Sequence, residues 1–163
     1  NIGAAAITSS SAFFAAACSA ARRLAPEPDT FTSSFGTVHS IDSLALAERT
    51  ARIAAEEGLA PQVLLQVKLR DDPSKGGFSR EGLLQAWPQL QRLDSLRITG
   101  LMTMAPLGLE ADQREMLFRD CAALAKDLGL QELSMGMSGD WPEAARAGST
   151  WVRIGSALFG SRT

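Results

Sequence analysis

The chain has 163 residues, enough for one domain with a core of its own. Its composition, 45% hydrophobic and 21% charged, is that of a folding chain rather than a disordered one. A net charge of −2 gives no electrostatic basis for binding nucleic acid or an anionic membrane, and two cysteines with one histidine make neither a disulfide framework nor a metal cluster.

Residues 1–34 read as an atypical Ala/Ser-rich leader, irregular or helical. Phe13-Phe14-Ala15-Ala16-Ala17 is like a secretory apolar core, but no basic stretch precedes it, and it is too short to span a bilayer. The expectation is a cytoplasmic protein. Leu24 to Thr30, with Pro26 and Pro28, reads as a linker.

From Phe35 onward the pattern is regular. Thr37 to Ile41 predicts a strand, then Asp42 or Ser43 caps a helix with Leu44, Ala47, Ala51 and Ala54 on one face and Gly58 at its stop. Val63 to Leu69 is a near-continuous apolar strand, of the kind buried on both faces of a parallel sheet. After the Asp71-to-Gly77 loop, a helix spans about 79–90, disturbed near its end by Pro88. Leu96 to Met104 is the third strand. The next helix, about 111–128, is expected to place Met116, Leu117, Ala123, Leu124 and Leu128 on one side, with Gly129 ending it. Glu132 to Met137 is a strand. Asp140, Pro142 and Glu143 open a short helix as N-cap, first-turn proline and reciprocal capping residue. Thr150 to Ile154 is the last strand.

Strand and helix alternate throughout, which implies parallel strands joined by right-handed crossovers. In such folds the working residues lie beyond the carboxyl ends of the strands. Two such ends stand out. Gly136-Met137-Ser138-Gly139 and Arg153-Ile154-Gly155-Ser156 each follow a short apolar run with small residues whose backbone N–H groups are free to hold a phosphate. Arg153, set among Trp151, Val152 and Ile154, is costly to bury unless a ligand or a carboxylate meets it. Ser138 could instead cap the helix that follows, and Gly155 could be a simple turn glycine. Cys121 reads as a small core residue. His39 reads as a hydrogen-bonding strand residue, and Trp87, Trp141 and Trp151 as packing residues.

Taken together, His39-Ser40-Ile41-Asp42-Ser43, Val63 to Val67, Ser74-Lys75-Gly76-Gly77-Phe78, Gly100-Leu101-Met102-Thr103-Met104, Leu133 to Asp140 and Ala147 through Gly160 resemble the YggS/PROSC family of pyridoxal-phosphate homeostasis proteins. That family shares its barrel with the N-terminal domain of alanine racemase. The resemblance covers about Phe35 to Gly160. It implies that residues 35–163 are the C-terminal part of a pyridoxal-phosphate-binding (β/α) barrel of the TIM type, with about five parallel strands retained. Ser138 would bond the cofactor phosphate, and Gly155 and Ser156 would offer it backbone N–H groups. Arg153 would face the pyridine nitrogen and keep it unprotonated. Met104 would pack near the ring.

The chain departs from the family before the His-Ser-Ile-Asp match, where the family's Gly-Glu-Asn and Trp-His-x-Ile-Gly segments are also absent. The family's Schiff-base lysine precedes the His-Ser-Ile-Asp match, whereas residues 1–34 hold no lysine, and the chain's lysines are Lys68, Lys75 and Lys126. Lys126 is placed on a helix surface, Lys75 in the Ser-Lys-Gly-Gly loop, and Lys68 at a strand end where a ligand contact is an open option. Truncation or an out-of-frame reading before about Phe35 is the expected origin of the difference. Pyridoxal 5'-phosphate should then bind weakly and non-covalently. The resemblance favours a non-enzymatic homeostasis protein with a small-molecule partner. A racemase-like enzyme, for which a covalent lysine is missing, and a degenerate fragment without cofactor are the alternatives.

Overall fold

The structure, a computed structural model, describes residues 37–72 and 75–160. The expectations for residues 1–34, and Cys18 with them, lie outside that range. The elements are β1 (Thr37–Ile41), α1 (Leu44–Glu56), β2 (Gln62–Gln66), α2 (Arg80–Leu90), β3 (Arg97–Met102), α3 (Ala111–Asp127), β4 (Glu132–Met137), α4 (Trp141–Arg146), β5 (Trp151–Arg153) and α5 (Ser156–Phe159). The short α5 was not expected from the sequence.

All five strands are parallel and lie in chain order, β1-β2-β3-β4-β5. The sheet is strongly curled. The Nδ1 atom of His39 on β1 lies 2.9 Å from the Ser134 hydroxyl on β4. Strands three steps apart in a flat sheet would be separated by about 14 Å. Such a contact requires the concave face to fold inward, as in a half-barrel.

Helices cover the convex face, and the core lies between them and the odd-numbered strand positions. Val63, Leu65, Leu101 and Met135 pack there against Ala47, Leu83, Phe118, Cys121 and Leu124. Ser43 caps α1 by accepting from the Leu46 N–H, and Ser79 caps α2 through Gly82 N–H. Pro88 lies inside α2 in its last turn, where it removes one helical donor without breaking the helix. Between β3 and β4 the strands approach closely at Gly100. A Cβ there would sit 2.0 Å from the Glu132 carbonyl oxygen, so only glycine fits.

Three local expectations are corrected. On α3 the buried residues are Leu117, Phe118, Cys121, Leu124 and Ala125, whereas Met116 is 60% exposed and Ala123 is also exposed. The stripe is rotated because Phe118 and Cys121, the larger burial at helical spacing, set the face. The expected capping box of α4 does not form. The Asp140 carboxylate turns back to accept the Met137 N–H at 2.6 Å, and Glu143 instead bonds Arg114 at 2.9 Å. β2 ends at Gln66 and not at Leu69; beyond it Val67 still donates to the Met102 carbonyl at 2.8 Å and pairs with Phe78.

Candidate anion site at the strand ends

The ends of β4 and β5 are neighbours, and the turn after β4 is built for close approach. Gly136 has φ +89°, and a Cβ there would meet the Ala144 Cβ at 2.7 Å. Helix α4 therefore closes down on the strand end, and the Asp140 carboxylate pins the turn by holding the Met137 N–H. Ser138 is thereby turned toward the start of α5. Its hydroxyl oxygen accepts from the Gly155 N–H at 3.1 Å and from the Ala157 N–H at 3.2 Å. Ser156, first in α5, has an N–H with no acceptor inside that helix. Backbone donors and one hydroxyl thus converge on a single exposed spot. Gly155 has φ −121°, which any residue adopts, and a Cβ on it would meet nothing within 4 Å. The protein itself does not demand glycine there.

Arg153 projects into the concave face. Nη1 donates to the Ser134 hydroxyl at 2.7 Å and the Ser134 carbonyl at 2.9 Å, and Nη2 donates to the Thr103 carbonyl at 3.0 Å. Neutral oxygens of β4 and of the residue after β3 therefore hold the guanidinium. Among the described residues no carboxylate forms an ion pair with it, so the sequence-based demand for a carboxylate or ligand is met in part by these oxygens. Three of five N–H donors are used in these bonds. Burial lowers its pKa, and the Asp140 charge opposes that shift.

Behind Arg153 the Ser134 hydroxyl also touches His39, whose ring meets Trp151 edge-on at 5.3 Å between centroids. Trp151 in turn donates from Nε1 to Glu132 at 2.6 Å. Burial lowers the His39 pKa below 6.5, the Arg153 charge lowers it further, and Glu132 pulls the other way.

Ser138, Gly155 and Ser156 are thus brought together, with Arg153 on the same strand end. Met104 directly follows Thr103, whose carbonyl accepts from Arg153, and it lines a shallow pocket with Gln66, Val67, Lys68, Arg70, Asp72, Lys75, Gly76 and Pro106. In that pocket Lys75 donates to the Ala105 carbonyl at 2.9 Å and pairs with Asp72 at 3.4 Å. Asp72 is therefore engaged. Lys126 is exposed on α3. Sequence reading missed Ser134 and Thr103. A serine between Leu133 and Met135 on a buried strand was the signal for Ser134; the Thr103 carbonyl gives none, because backbone acceptors leave no trace in residue type.

The profile of the alanine racemase N-terminal domain matches residues 6–163. The chain belongs to the alanine racemase N-terminal domain family. Among relatives of this domain, a pyridoxal phosphate homeostasis protein from Synechocystis is 48% identical over 134 residues, 78% of this chain and 62% of its own length. One from Deinococcus radiodurans is 46% identical over 122 residues, 75% of this chain and 57% of the relative. The chain thus spans about three-fifths of the length of these curated relatives. The structure of PipY from Synechococcus elongatus PCC7942 with pyridoxal phosphate bound superposes with a TM-score of 0.74 at 42% identity, covering 83% of this chain and 68% of PipY. Alanine racemase from Clostridium difficile, at 18% identity and a TM-score of 0.60 over 85% of this chain and 40% of its own, shares the fold of this domain. Five curled parallel strands with outer helices are thus part of the alanine racemase-type barrel.

Proposed function

We propose that this chain binds pyridoxal 5'-phosphate non-covalently at the β4 and β5 ends, in a non-enzymatic role in homeostasis of that cofactor. One observation carries the reading: the Ser138 hydroxyl gathers the Gly155 and Ala157 N–H groups beside the inward-facing Arg153. A single hydroxyl oxygen shared by two amide donors is a modest acceptor, and a phosphate with three charged oxygens suits such a donor set better. The open space next to Gly155 gives it room.

The fit to the heterocycle follows from Arg153. Its remaining N–H donors suit a ring nitrogen that keeps its lone pair, because a guanidinium does not give up its proton near neutrality. Bound pyridoxal phosphate would supply an electrophilic aldehyde and an electron-withdrawing ring. Ser138 and α5 would anchor the phosphate, and Arg153 would fix the ring orientation. An unprotonated ring nitrogen draws electrons weakly, which suits holding the cofactor rather than reacting it. The names of the relatives and the cofactor bound to PipY support the same class of ligand. Met104 would contribute packing only from the neighbouring pocket.

A racemase-like activity finds less support. It needs a lysine joined to the cofactor and acid–base groups on both ring faces. Of the chain's lysines, Lys126 is exposed on α3 and Lys75 is tied to Ala105 and Asp72. Equilibrium dialysis against pyridoxal 5'-phosphate tests the proposal. Saturable binding by the parent chain, weakened in Arg153→Ala and removed by exhaustive dialysis, is expected. Equal binding by parent and Arg153→Ala would overturn it, as would ligand trapped by borohydride on Lys68 or Lys75.

A further inference from the structure

The strand that carries Arg153 ends in a hydrogen-bonded chain whose proton directions are fixed. A guanidinium only donates, so the Ser134 oxygen is the acceptor of the 2.7 Å bond from Nη1. Ser134 is fully buried and its own hydroxyl proton needs an acceptor. The His39 Nδ1 atom at 2.9 Å provides one. His39 must then be neutral, with its proton on Nε2. A protonated imidazole would present a second donor to a hydroxyl already holding one cation, and would leave the hydroxyl proton stranded.

We propose that His39 and Ser134 are positioning residues for Arg153, and that protonation of His39 loosens the guanidinium and weakens ligand binding at the strand ends. This rests on the reading that Arg153 meets the ligand. The charged groups facing the imidazole are Arg153 from β5 and Glu132 from β4, and these act in opposite senses. Glu132 is committed to Trp151 Nε1 at 2.6 Å and Thr150 Oγ1 at 2.7 Å. β1 and β2 bring no other titratable side chain, and Arg97 on β3 is exposed at the opposite end of that strand. Burial and the Arg153 charge thus hold the imidazole pKa down, and Glu132 opposes them.

His39 is the only histidine of the chain, so one imidazole signal in a tag-free sample reports on it. NMR of the parent should show an Nε2–H tautomer titrating below 6.5, and Arg153→Ala should move that titration upward. An Nδ1–H tautomer, or a midpoint at or above 6.5, overturns the proposal. Affinity for pyridoxal 5'-phosphate is then measured from pH 5 to 8 in the parent and in His39→Gln; their ratio cancels the titration of the ligand itself. The parent should lose at least threefold relative to His39→Gln as pH falls through the imidazole midpoint. A ratio flat with pH overturns the proposal. Ser134→Ala should bind about fivefold more weakly at neutral pH, and Ser134→Thr, which keeps the hydroxyl, should recover binding. If Ser134→Ala does not fold, the NMR tautomer and the ratio still decide. If Arg153→Ala binds like the parent, the site reading fails instead, whatever His39 does.

Discussion

The Ser138 hydroxyl and the Gly155 amide, seventeen residues apart in sequence, meet at 3.1 Å and join the ends of β4 and β5. The same oxygen serves Ala157. Replacing Ser138 by alanine removes one polar contact to the ligand and leaves two amides without a protein acceptor. A hydrogen bond to a charged group is worth about 1.5–3 kcal/mol. Ser138→Ala should therefore bind pyridoxal 5'-phosphate roughly ten- to a hundredfold more weakly in a fluorescence titration, and Ser138→Thr should bind nearly as the parent does. Unchanged affinity in Ser138→Ala would remove this hydroxyl from the site.

Gly100 sets how closely β3 and β4 approach. A methyl group there collides with the backbone of Glu132 and not with a movable side-chain tip. The strands must separate or the local ladder must break. Gly100→Ala should lose about 3 kcal/mol in urea unfolding, at the upper end of overpacking costs. A variant with the parent midpoint would show that this part of the sheet yields readily.

Glu143 on α4 meets Arg114 on α3 at 2.9 Å, and its side chain is only 9% exposed. The hydrogen bond from Arg114 holds its carboxyl below the usual carboxylate range. A group lowered in the folded state binds fewer protons there than in the unfolded chain. Its stabilisation is complete above the unfolded value of about 4.3 and is lost as pH falls through the lowered value. The parent Tm should drop over that interval, and the drop should be smaller in Glu143→Gln. Parallel Tm profiles for the two would place acid sensitivity elsewhere.

Burial pushes the Cys121 thiol up to about 12. At neutral pH the reactive thiolate is scarce, and the sulfur is enclosed by the helical core. Peptide-resolved mass spectrometry after iodoacetamide treatment should find Cys121 unlabelled in the native protein and labelled in urea. Rapid labelling of the native protein would mean that α3 opens readily.

The strands and the outer helices were legible because apolar spacing and caps such as Ser43, Ser79 and Gly58 act locally. The rotation of α3 was not, since Met116 and Phe118 are equally apolar and only the sheet decides which is buried. Asp140 does stand at the N-cap of α4, but its carboxylate turns back to Met137, a choice that the turn and not the residue type decides. At the site, Ser138, Gly155 and Ser156 could be grouped in advance because each ends an apolar run beside small residues. The partners of Arg153 could not. Ser134 acts from a strand interior, the Thr103 oxygen belongs to the backbone, and His39 reaches them only because the sheet bends.

That bend also decides what heat would do to the anchor for the ligand. Arg153 is steadied by oxygens from β4 and from the residue after β3, and by an imidazole on β1 behind them, so no short peptide around residues 138–157 inherits the arrangement. Loss of affinity and loss of helical signal should share one melting curve, with recognition vanishing as a collective property of the arch.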